Sequence, residues 1–441
     1  MGKRTNLENL VKQFYMEKKL IDTYKNKKVL VTGHTGFKGS WLAIWLNMLG
    51  ADVAGYAFDP KTRKDNFVVT GIKNNIKDIR GDINDQEHLF KTFKKEKPEI
   101  VFHLAAQPLV FSSYENPLET FNTNTIGTAN ILEAIRYSDS VHTGIMITSD
   151  KCYENKETFW GYRENDALGG HDPYSASKGA AEMIINSYRK SFMAQNEKAI
   201  ASARAGNVIG GGDWSKFRLV PDIIKALESD QPVELRNPES TRPWQHVLEP
   251  LGGYLLLGTK LIEDPQKYAE PWNFGPFPHH VKPVKNLVKK LIYYYGKGYW
   301  KDVSKEQNLH ENKLLTLDIT KAITKLDWQP QLNLDETIQW TADWYKNYIN
   351  KEVVLGIRPE DVVDASINHD FEIKTDNSFK AKVDVLEPMG SEIYLYLDRD
   401  KHSFVARVEA ESKADVGDEI KVGIDTRKMH IFDADTEKAI I

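Results

Sequence analysis

The chain has 441 residues, a formal net charge of −4 and one cysteine, Cys152. At roughly 150 residues per domain, this length predicts more than one domain. A single cysteine excludes an internal disulfide and fits a reducing compartment, and no apolar run approaches the roughly 20 residues of a membrane span. The nearly balanced charge gives no general reason to expect nucleic-acid binding. We therefore expect a cytoplasmic protein with neither a nucleic acid nor a membrane as its partner.

The first 350 residues alternate between predicted strands and helices. A helical extension is predicted over residues 1–25, and β-branched runs then predict strands at Lys28–Thr32, Asp52–Asp59, Glu99–Leu104, His142–Thr148 and Ala199–Ala205. Helices are predicted near 40–49, 85–97, 117–137 and 174–194. This alternation favours an α/β fold with a doubly wound parallel sheet over residues 26–205. Frequent Pro and Gly predict a smaller substrate lobe over 206–350, partly interleaved with the sheet domain.

Residues 352–441 differ from the rest in composition and pattern. Residues 351–441 carry 13 Lys and Arg against 21 Asp and Glu, whereas the first 350 residues carry 46 against 42. Apolar runs predict strands at Phe379–Leu386, Glu392–Leu397, Ser403–Glu409 and Glu419–Ile424. The sequence therefore predicts a separate small all-β domain, a barrel or a sandwich, over residues 352–441.

A glycine-rich turn follows the first predicted strand. Gly33, Gly36 and Gly39 are spaced by two residues each and precede a predicted helix. Such a turn presents N–H groups to a pyrophosphate, although a tight turn without a ligand gives the same spacing. Asp59 ends the second strand, where a carboxylate accepts from a ribose hydroxyl and repels a 2′-phosphate. NAD is therefore predicted, while Arg63 and Lys64 nearby leave NADP open.

A Tyr–Lys pair carries the strongest chemical signal. Tyr174 and Lys178 are four residues apart on one predicted helix, which Asp172 and Pro173 begin as N-cap and first helical residue. A lysine beside a phenol lowers the pKa of the phenol, so Tyr174 is a candidate general base. An exposed i, i+4 pair is the structural alternative. The fourth predicted strand, His142–Thr148, is followed by three further candidate catalytic residues, Ser149, Asp150 and Lys151.

The segment after residue 204 is predicted to bind a substrate. Arg204 to Trp214 is too rich in glycine for a regular element and suggests a backbone close to a ligand. Arginines that follow it suit a diphosphate, although each one alone is equally compatible with a plain surface residue. The candidate substrate residues are Asn207, Arg218, Arg236, Arg242 and His246. The sequence has neither a C-x-x-C nor an H-x-x-x-H spacing, so no metal site is predicted.

Residues 26–350 resemble the extended short-chain dehydrogenase/reductases, and within them the branch of CDP-glucose 4,6-dehydratases. The resemblance rests on the runs Gly33–Trp41, Thr148–Asn155, Trp160–Asn165, Tyr174–Lys178, Arg204–Trp214 and Thr241–Pro250. It implies a Rossmann fold, a homodimer or higher oligomer pairing helices near 117–137 and 174–194, and CDP-glucose as substrate. The implied NAD contacts are Gly33, Thr35, Gly36, Phe37, Gly39, Asp59, Asp82, Ile83, Ala105, Ala106, Gln107, Asn124, Tyr174, Lys178 and Arg204. Phe111 lies where this family would lead us to expect a basic residue.

The resemblance also implies a reaction. Tyr174 removes the proton of the sugar 4-OH, Ser149 hydrogen-bonds the reacting oxygen, and NAD takes the C4 hydride and later returns it at C6. Lys151 takes the C5 proton, where relatives use Glu, and Asp150 protonates the departing 6-OH. An NDP-sugar 4-epimerase or decarboxylase of the same family is an alternative, because these enzymes use Tyr and Lys without the Asp150–Lys151 pair.

The C-terminal region resembles the TOBE domain, an OB-like β-domain that follows the ATPase module of sugar-importer subunits. Val354–Asp361 and Val385–Ser391 carry this likeness. The chain has no P-loop sequence of the form G-x-x-x-x-G-K-[ST]. A non-catalytic scaffold or ligand-sensing protein is therefore an alternative of another class, and the intact Ser149, Tyr174 and Lys178 argue against it.

Overall fold

A computed structural model describes residues 18–304, 314–349, 353–367, 371–374, 377–400, 402–425, 428 and 430–433. The chain divides into two compact units, Met1–Lys346 and Asn347–Ile441. Of the predicted helical extension over residues 1–25, residues 1–17 lie outside the described residues, and Lys18–Tyr24 is a helix. The division of the first unit at residue 206 stays a prediction.

The first unit is built on a seven-stranded parallel sheet. Its strands, numbered along the whole chain, are β1 Lys28–Thr32, β2 Asp52–Ala57, β3 Lys77–Arg80, β4 Ile100–His103, β5 Thr143–Ile147, β6 Ala199–Arg204 and β11 Pro271–Asn273. They lie in the order β11-β6-β5-β4-β1-β2-β3, and every neighbouring pair is parallel. The predicted doubly wound sheet is confirmed.

Helices cover both faces of this sheet. In the first unit they are α1 Lys18–Tyr24, α2 Phe37–Met48, α3 Asn66–Val69, α4 Gln86–Glu96, α5 Val110–Glu115, α6 Pro117–Phe121, α7 Gly127–Tyr137, α8 Pro173–Tyr188, α9 Leu219–Glu228, α10 Leu248–Glu263, α11 Pro265–Tyr268, α12 Val284–Tyr295, α13 Thr320–Leu326 and α14 Leu334–Ile349. None of the helices in the described ranges combines the length and the apolar character that a bilayer span requires.

The apolar runs of the central strands explain why both faces are covered. Along β1, Val29 and Val31 enter one hydrophobic cluster and Leu30 enters the other, because successive strand side chains point to opposite faces. Helices α2 and α10 complete the first cluster, and helices α4, α7 and α8 complete the second. The core of this unit is therefore two apolar layers separated by the sheet.

The strand order reverses direction beside β1, which pairs with β2 on one side and β4 on the other. In such sheets the loops after these two strands diverge and leave a crevice at their carboxyl ends. The turn Gly33–Gly36 and the loop that begins at Leu104 both start at this edge. The fold thus brings the predicted cofactor segments together.

The predicted lobe after residue 206 consists of short paired strands and helices. The strands are β7 Val208–Ile209, β8 Val233–Leu235, β9 Thr241–Arg242, β10 Gln245–His246, β12 Lys282–Pro283 and β13 Trp300–Asp302. They form three two-stranded ladders, β7 with β10, β9 with β12 and β8 with β13.

Beyond the end of α14, the described part of the second unit is built of β-strands, with one 3₁₀ turn at Pro359–Asp361. Its strands are β14 Val353–Gly356, β15 Val362–Asp364, β16 Ser378–Pro388, β17 Glu392–Arg399, β18 His402–Glu409, β19 Glu419–Ile424 and β20 His430–Asp433. Five of them form an antiparallel sheet in the order β15-β19-β16-β17-β18, and its edge strands β15 and β18 approach each other. Val383, Leu395, Leu397 and Val422 fill the interior. The prediction of a small all-β domain is confirmed.

Candidate active site

The glycine-rich turn connects β1 to α2 under tight steric limits. Gly33 has φ +75, and a Cβ on it would lie 2.7 Å from the Ala105 backbone nitrogen. A Cβ on Gly39 would lie 2.0 Å from the Gly33 carbonyl oxygen. Only glycine allows this close approach of turn, helix and neighbouring loop. The result is a helix N-terminus aimed at the crevice, with Gly36 as an N-cap that offers no side-chain acceptor.

The sheet edge near Asp59, predicted to bind the adenosine part of NAD, contains a charged residue, Arg80, that the sequence analysis did not identify. Asp59 is exposed, and its carboxylate accepts from Arg80 Nε at 3.0 Å. Arg80 also pairs with Asp78 at 2.8 Å, and Asp78 lies 2.8 Å from His34 Nε2. The candidate cation beside Asp59 is therefore Arg80 on β3. The sequence held a signal for this ion pair. In a parallel sheet the ends of neighbouring strands lie side by side, so the last residue of a strand next to β2 is expected near Asp59.

Three other predicted NAD contacts, Thr35, Asp82 and Ile83, are held by contacts within the protein. The Asp82 carbonyl accepts from the Tyr56 hydroxyl at 2.9 Å, and the Asp82 carboxylate accepts from the Asn84 N–H. Ile83 is buried beside Gly127. The Thr35 hydroxyl donates to the Phe58 carbonyl, which fixes the turn against the end of β2.

The loop after β4 is fastened to the helix that carries the Tyr–Lys pair. Gln107 N–H donates to Asn124 Oδ1 at 2.8 Å, and Asn124 Nδ2 donates to the Gln107 carbonyl and to Ser177 Oγ. Asn124 lies in a π-helical turn, Asn122–Ile126, and is buried. Ala105 and Ala106 border the same loop. Asn124 therefore fixes the loop after β4 against α8.

Tyr174 and Lys178 lie on α8 as predicted, and both are buried, with 8% and 5% of their surface exposed. The predicted N-cap is confirmed, because Asp172 Oδ1 accepts from the Ser175 N–H at 2.9 Å and Pro173 begins the helix. The Tyr174 hydroxyl is hydrogen-bonded to Ser149, whose hydroxyl also donates to Asp150 Oδ1 at 2.9 Å. The Lys178 ammonium has no hydrogen-bond or ion-pair partner among the described residues.

The pKa of Tyr174 differs from the sequence-based expectation. Burial raises the pKa of Tyr174 to about 12, and the hydrogen bond with Ser149 and the charge of Arg218 oppose this shift only in part. Burial also lowers the pKa of Lys178 to about 8, against the effect of the Glu182 carboxylate. The expectation that the pKa of Tyr174 is lowered is therefore wrong for the protein alone. Burial destabilises the phenolate by more than Ser149 and Arg218 stabilise it.

Asp150 and Lys151 begin a 3₁₀ turn after β5 and face different surroundings. Asp150 is buried, and a Cβ on Gly206 would lie 1.9 Å from its Oδ2. Asn207 Nδ2 also approaches Oδ2 at 3.4 Å. Lys151 is half-buried, and its ammonium pairs with no described carboxylate. The two neighbours in sequence therefore do not form an ion pair with each other.

The predicted substrate residues separate into two groups. Asn207 and Arg218 reach the catalytic cluster, since Arg218 is held by Asp213 at 2.9 Å and its charge acts on Tyr174. Arg236 is exposed after β8, and Arg242 donates to the Thr241 carbonyl on β9. His246 is buried on β10 against Trp340, and burial lowers its pKa to about 3. A neutral, buried imidazole is not suited to bind a diphosphate.

Arg204 belongs to a buried network beneath the site. Its Nη2 donates to Glu182 Oε2 at 2.8 Å, and its Nη1 donates to the Tyr153 hydroxyl at 2.6 Å and to the Glu164 carbonyl at 3.0 Å. Glu182 also accepts from Thr148 and Ser202. These contacts disfavour the predicted role of Arg204 in cofactor binding, because both of its amino groups point at protein acceptors.

Sequence reasoning missed one lysine in the site. Lys38, in the glycine-rich segment, donates from Nζ to the Tyr254 hydroxyl at 2.9 Å. Its position inside Gly36-Phe37-Lys38-Gly39 was the available signal, since a charged residue there is carried into the crevice by the turn. Among the described residues, no group of three or more His, Cys, Asp or Glu is arranged to hold a metal ion.

Comparison with known proteins identifies relatives of both units. The family model described as GDP-mannose 4,6 dehydratase matches residues 30–341, and the TOBE domain model matches residues 355–432. The chain is 45% identical over 346 residues to CDP-glucose 4,6-dehydratase of Salmonella typhimurium, covering 77% of this chain and 96% of that protein. It is also 45% identical over 95 residues to the oligosaccharides import ATP-binding protein MsmX of Bacillus subtilis, covering 22% of this chain and 26% of that protein.

Solved structures share the fold of the first unit. The crystal structure of dTDP-glucose 4,6-dehydratase from Bacillus anthracis in complex with NAD superposes with a TM-score of 0.61 at 21% identity. The match covers 73% of this chain and 97% of that chain. At this identity the likeness shows the fold, and the relatives that share the fold include proteins solved with NAD.

Proposed function

The chain belongs to the GDP-mannose 4,6-dehydratase family, and on this premise we propose that it converts CDP-glucose to CDP-4-dehydro-6-deoxyglucose and water. The observation that carries the proposal is the buried Asp150 carboxylate, which is hydrogen-bonded through Ser149 to Tyr174. Proton removal at O4 needs Tyr174, whereas loss of the 6-OH needs an additional acid beside it. Asp150, once it carries a proton, would supply that acid.

The residues of the crevice fit a bound NAD. The glycine turn leaves the first N–H groups of α2 facing the crevice, which suits a pyrophosphate. Lys178 carries a buried ammonium without a protein partner, and the ribose hydroxyls would supply its acceptors. Asp59 would accept from the adenosine ribose, with Arg80 beside it. When bound, NAD supplies a hydride acceptor at C4 and a hydride donor at C6.

Tyr174 and its neighbours handle the proton of the 4-OH. A phenol with a pKa near 12 stays protonated at neutral pH and cannot accept the proton of the 4-OH, so the site needs additional positive charge to favour the phenolate. Lys178, one helical turn away, and Arg218 are the cations that stabilise it. Ser149 would turn its hydroxyl from Asp150 to the reacting oxygen and fix the position of that oxygen relative to Tyr174. The chain therefore orients the 4-OH before the proton leaves.

Elimination of water uses the turn after β5. Asp150, as the carboxylic acid, would donate its proton to the departing 6-OH, and Lys151, as the neutral amine, would take the C5 proton, which the new C4 carbonyl has made acidic. Lys151 has no carboxylate partner among the described residues, so no ion pair has to break before its amine acts as a base. Replacement of Lys151 by Met would stop elimination while Tyr174 still deprotonates the 4-OH.

Two helical segments of the first unit are proposed to form a dimer interface. Leu118, Ile126 and Met183 are at least half exposed on the helical segments 117–137 and 174–194, which supports pairing of these helices in a homodimer. Light scattering of a Leu118→Glu variant tests this pairing, because a dimer built on these helices would dissociate. A role for the TOBE domain in the reaction is not proposed.

The proposed function is tested by proton NMR of the purified protein with CDP-, UDP-, dTDP- and GDP-hexoses, without added NAD. We expect a new C6 methyl signal with CDP-glucose alone, because hydride return leaves the cofactor in place between turnovers. The Tyr174→Phe variant should give no product, whereas the control Tyr293→Phe, an exposed tyrosine on α12, should match the parent protein.

Each other outcome has a defined meaning. Product that forms only after NAD is added keeps the reaction and contradicts tight cofactor binding. An epimer of CDP-glucose without a methyl signal would replace the proposal by the 4-epimerase alternative. Absence of any product from all four nucleotide sugars, with NAD present, would refute the dehydratase proposal.

A further inference from the structure

Gln245 on β10 is a buried glutamine that bridges two segments of the chain, with 2% of its surface exposed. Its Nε2 donates to the Gly206 carbonyl at 3.1 Å and to the Phe274 carbonyl at 3.0 Å. Gly206 follows β6 and Phe274 follows β11, and these two strands are parallel neighbours. The amide therefore joins the two segments just beyond the carboxyl ends of their strands. Both N–H groups of Nε2 are used, because a side-chain amide carries only two.

One end of this bridge is anchored in the core. Phe274 is fully buried, and its ring packs edge-on against Trp328 and Tyr254, with centroids 5.0 and 5.6 Å away. The Phe274 N–H donates to the Arg204 carbonyl at 2.8 Å, which continues the pairing of β11 with β6. The side chain of Gln245 thus ties Gly206 to a closely packed part of the protein.

The other end of the bridge is a turn with an uncommon backbone conformation. Asn207 has φ +51, in the left-handed region that residues other than glycine seldom adopt. The Gln245 N–H donates to the Asn207 carbonyl at 3.2 Å, while its side chain holds Gly206. A conformation of this kind persists where surrounding contacts enforce it. Gln245 supplies two such contacts, one to each residue of the turn.

The Gly206–Asn207 turn forms one wall around the Asp150 carboxyl. A Cβ on Gly206 would lie 1.9 Å from Asp150 Oδ2, and Asn207 Nδ2 approaches the same oxygen at 3.4 Å. The other oxygen, Oδ1, accepts from the Ser149 hydroxyl at 2.9 Å. In the proposed reaction Ser149 turns to the reacting oxygen. The turn is then the described contact that still fixes the carboxyl, and Oδ1 is free to face the substrate.

We propose, on the basis of the proposed function, that Gln245 is a positioning residue for Asp150. By holding the Gly206–Asn207 turn, it keeps the Asp150 carboxyl in the position from which the departing 6-OH is protonated. Tyr174, which handles the proton of the 4-OH, makes no hydrogen bond to this turn in the described part of the chain. Loss of Gln245 should therefore slow the loss of water much more than the oxidation at C4.

The test compares Gln245→Met with the parent full-length enzyme in single turnovers of CDP-glucose with NAD present. Methionine is close to glutamine in length and volume but donates no hydrogen bond. The rise of NADH absorbance reports oxidation at C4, and the C6 methyl signal reports elimination. We expect the ratio of the elimination rate to the oxidation rate to fall by about 10- to 100-fold, as for other small displacements of a reacting group. The matched control is Thr259→Val, which removes a buried hydroxyl that donates within α10 to the Leu255 carbonyl, and it should keep the ratio of the parent.

A second comparison tests whether Gln245 acts through Asp150. In an Asp150→Asn background, Gln245→Met should cause no further loss of elimination, because the group that it positions is no longer an acid. An equal loss in both backgrounds would overturn the proposal. Equal losses of oxidation and elimination in Gln245→Met alone, or an unchanged ratio of the two rates, would overturn it as well.

Two further variants keep the test decisive if Gln245→Met does not fold. Gln245→Asn keeps the amide but is one methylene too short to reach both carbonyls. Gly206→Ala places a Cβ whose nearest neighbours are all atoms of the Asp150 carboxyl, so it should move that group and little else. Both should slow elimination selectively, and a parent-like ratio in both would refute the proposal.

A crystal structure of the Gln245→Met or Gln245→Asn variant keeps this proposal distinct from the proposed function. The Asp150 carboxyl should be displaced and Asn207 should leave its positive φ. An unmoved Asp150 would refute the positioning role even if the enzyme dehydrates CDP-glucose. If the parent enzyme forms no dehydrated product, the proposed function fails and the positioning role fails with it.

Discussion

The buried pair of Glu182 and Arg204 gives the sharpest prediction about stability. Both side chains are 3% exposed, and the Glu182 carboxylate accepts from Arg204, Thr148 and Ser202. Replacement of Glu182 by Gln removes the charge but keeps the shape, so the Arg204 guanidinium stays buried without its counterion. Breaking a buried ion pair in this way costs about 3–5 kcal/mol. This is a large part of the roughly 5–15 kcal/mol that stabilises a typical domain.

Urea unfolding followed by tryptophan fluorescence measures this cost in the full chain. All ten tryptophans lie at or before Trp344, so the signal reports on the first unit. The double variant Glu182→Gln, Arg204→Met should recover part of the lost free energy of unfolding, because it leaves no uncompensated charge. Glu87→Gln, which breaks an exposed pair with Lys91, should leave the urea midpoint nearly unchanged.

The pH dependence of the same variant follows from the sign of the pKa shift. Burial by itself would raise the pKa of Glu182, but the charge of Arg204 and three hydrogen bonds hold it below the ordinary value of 4.5. The stabilisation is therefore complete above pH 4.5 and is lost as the pH falls through the folded-state pKa. A loss under about 1 kcal/mol at neutral pH, or a difference that does not shrink in acid, would refute the reasoning.

Three further predictions concern other parts of the chain. Burial raises the pKa of Glu249 to about 7, so the parent protein should lose stability as the pH rises through 7. In thermal unfolding at pH 8, Glu249→Gln should be more stable than the parent protein by about 1–3 kcal/mol. Equal pH profiles of the two proteins would contradict this. Lys178→Met should lower turnover by about 10²-fold or more and reduce the NAD that copurifies, which extraction and absorbance measure, and unchanged NAD content would remove Lys178 from cofactor binding. Leu397→Ala should cost the β-domain about 2–5 kcal/mol, because Leu397 is fully buried in its core, and hydrogen exchange in β17 should detect the loss while tryptophan fluorescence does not.

The local motifs of the site were predictable because each depends on residues close in sequence. The Asp172 N-cap, the Tyr174–Lys178 spacing and the Gly33 turn are fixed by backbone geometry over a few residues. The same holds for the sheet, since β-branched runs between amphipathic helices leave few other arrangements. The change in charge and pattern near residue 350 likewise separated an all-β segment from the preceding α/β segment.

The protonation chemistry was not predictable, because it depends on burial and on partners far away in the chain. Sequence spacing suggested a lowered pKa for Tyr174, but the depth at which α8 buries the phenol raises it instead. Arg204 looked like a ligand-binding arginine until the fold placed it against Glu182.

The amino-acid sequence by itself determined the two fold classes, the position of the glycine turn and the identity of the Ser149, Tyr174 and Lys178 group. Only the tertiary structure decided which charged side chains lie close to one another. Lys38 and Tyr254 are separated by 216 residues, yet α2 and α10 bring them within hydrogen-bonding distance at the carboxyl edge of the sheet. Residue spacing over short distances determines helices, strands and turns. The electrostatic environment of a side chain arises only when packing excludes water and brings together charged groups that are far apart in the sequence.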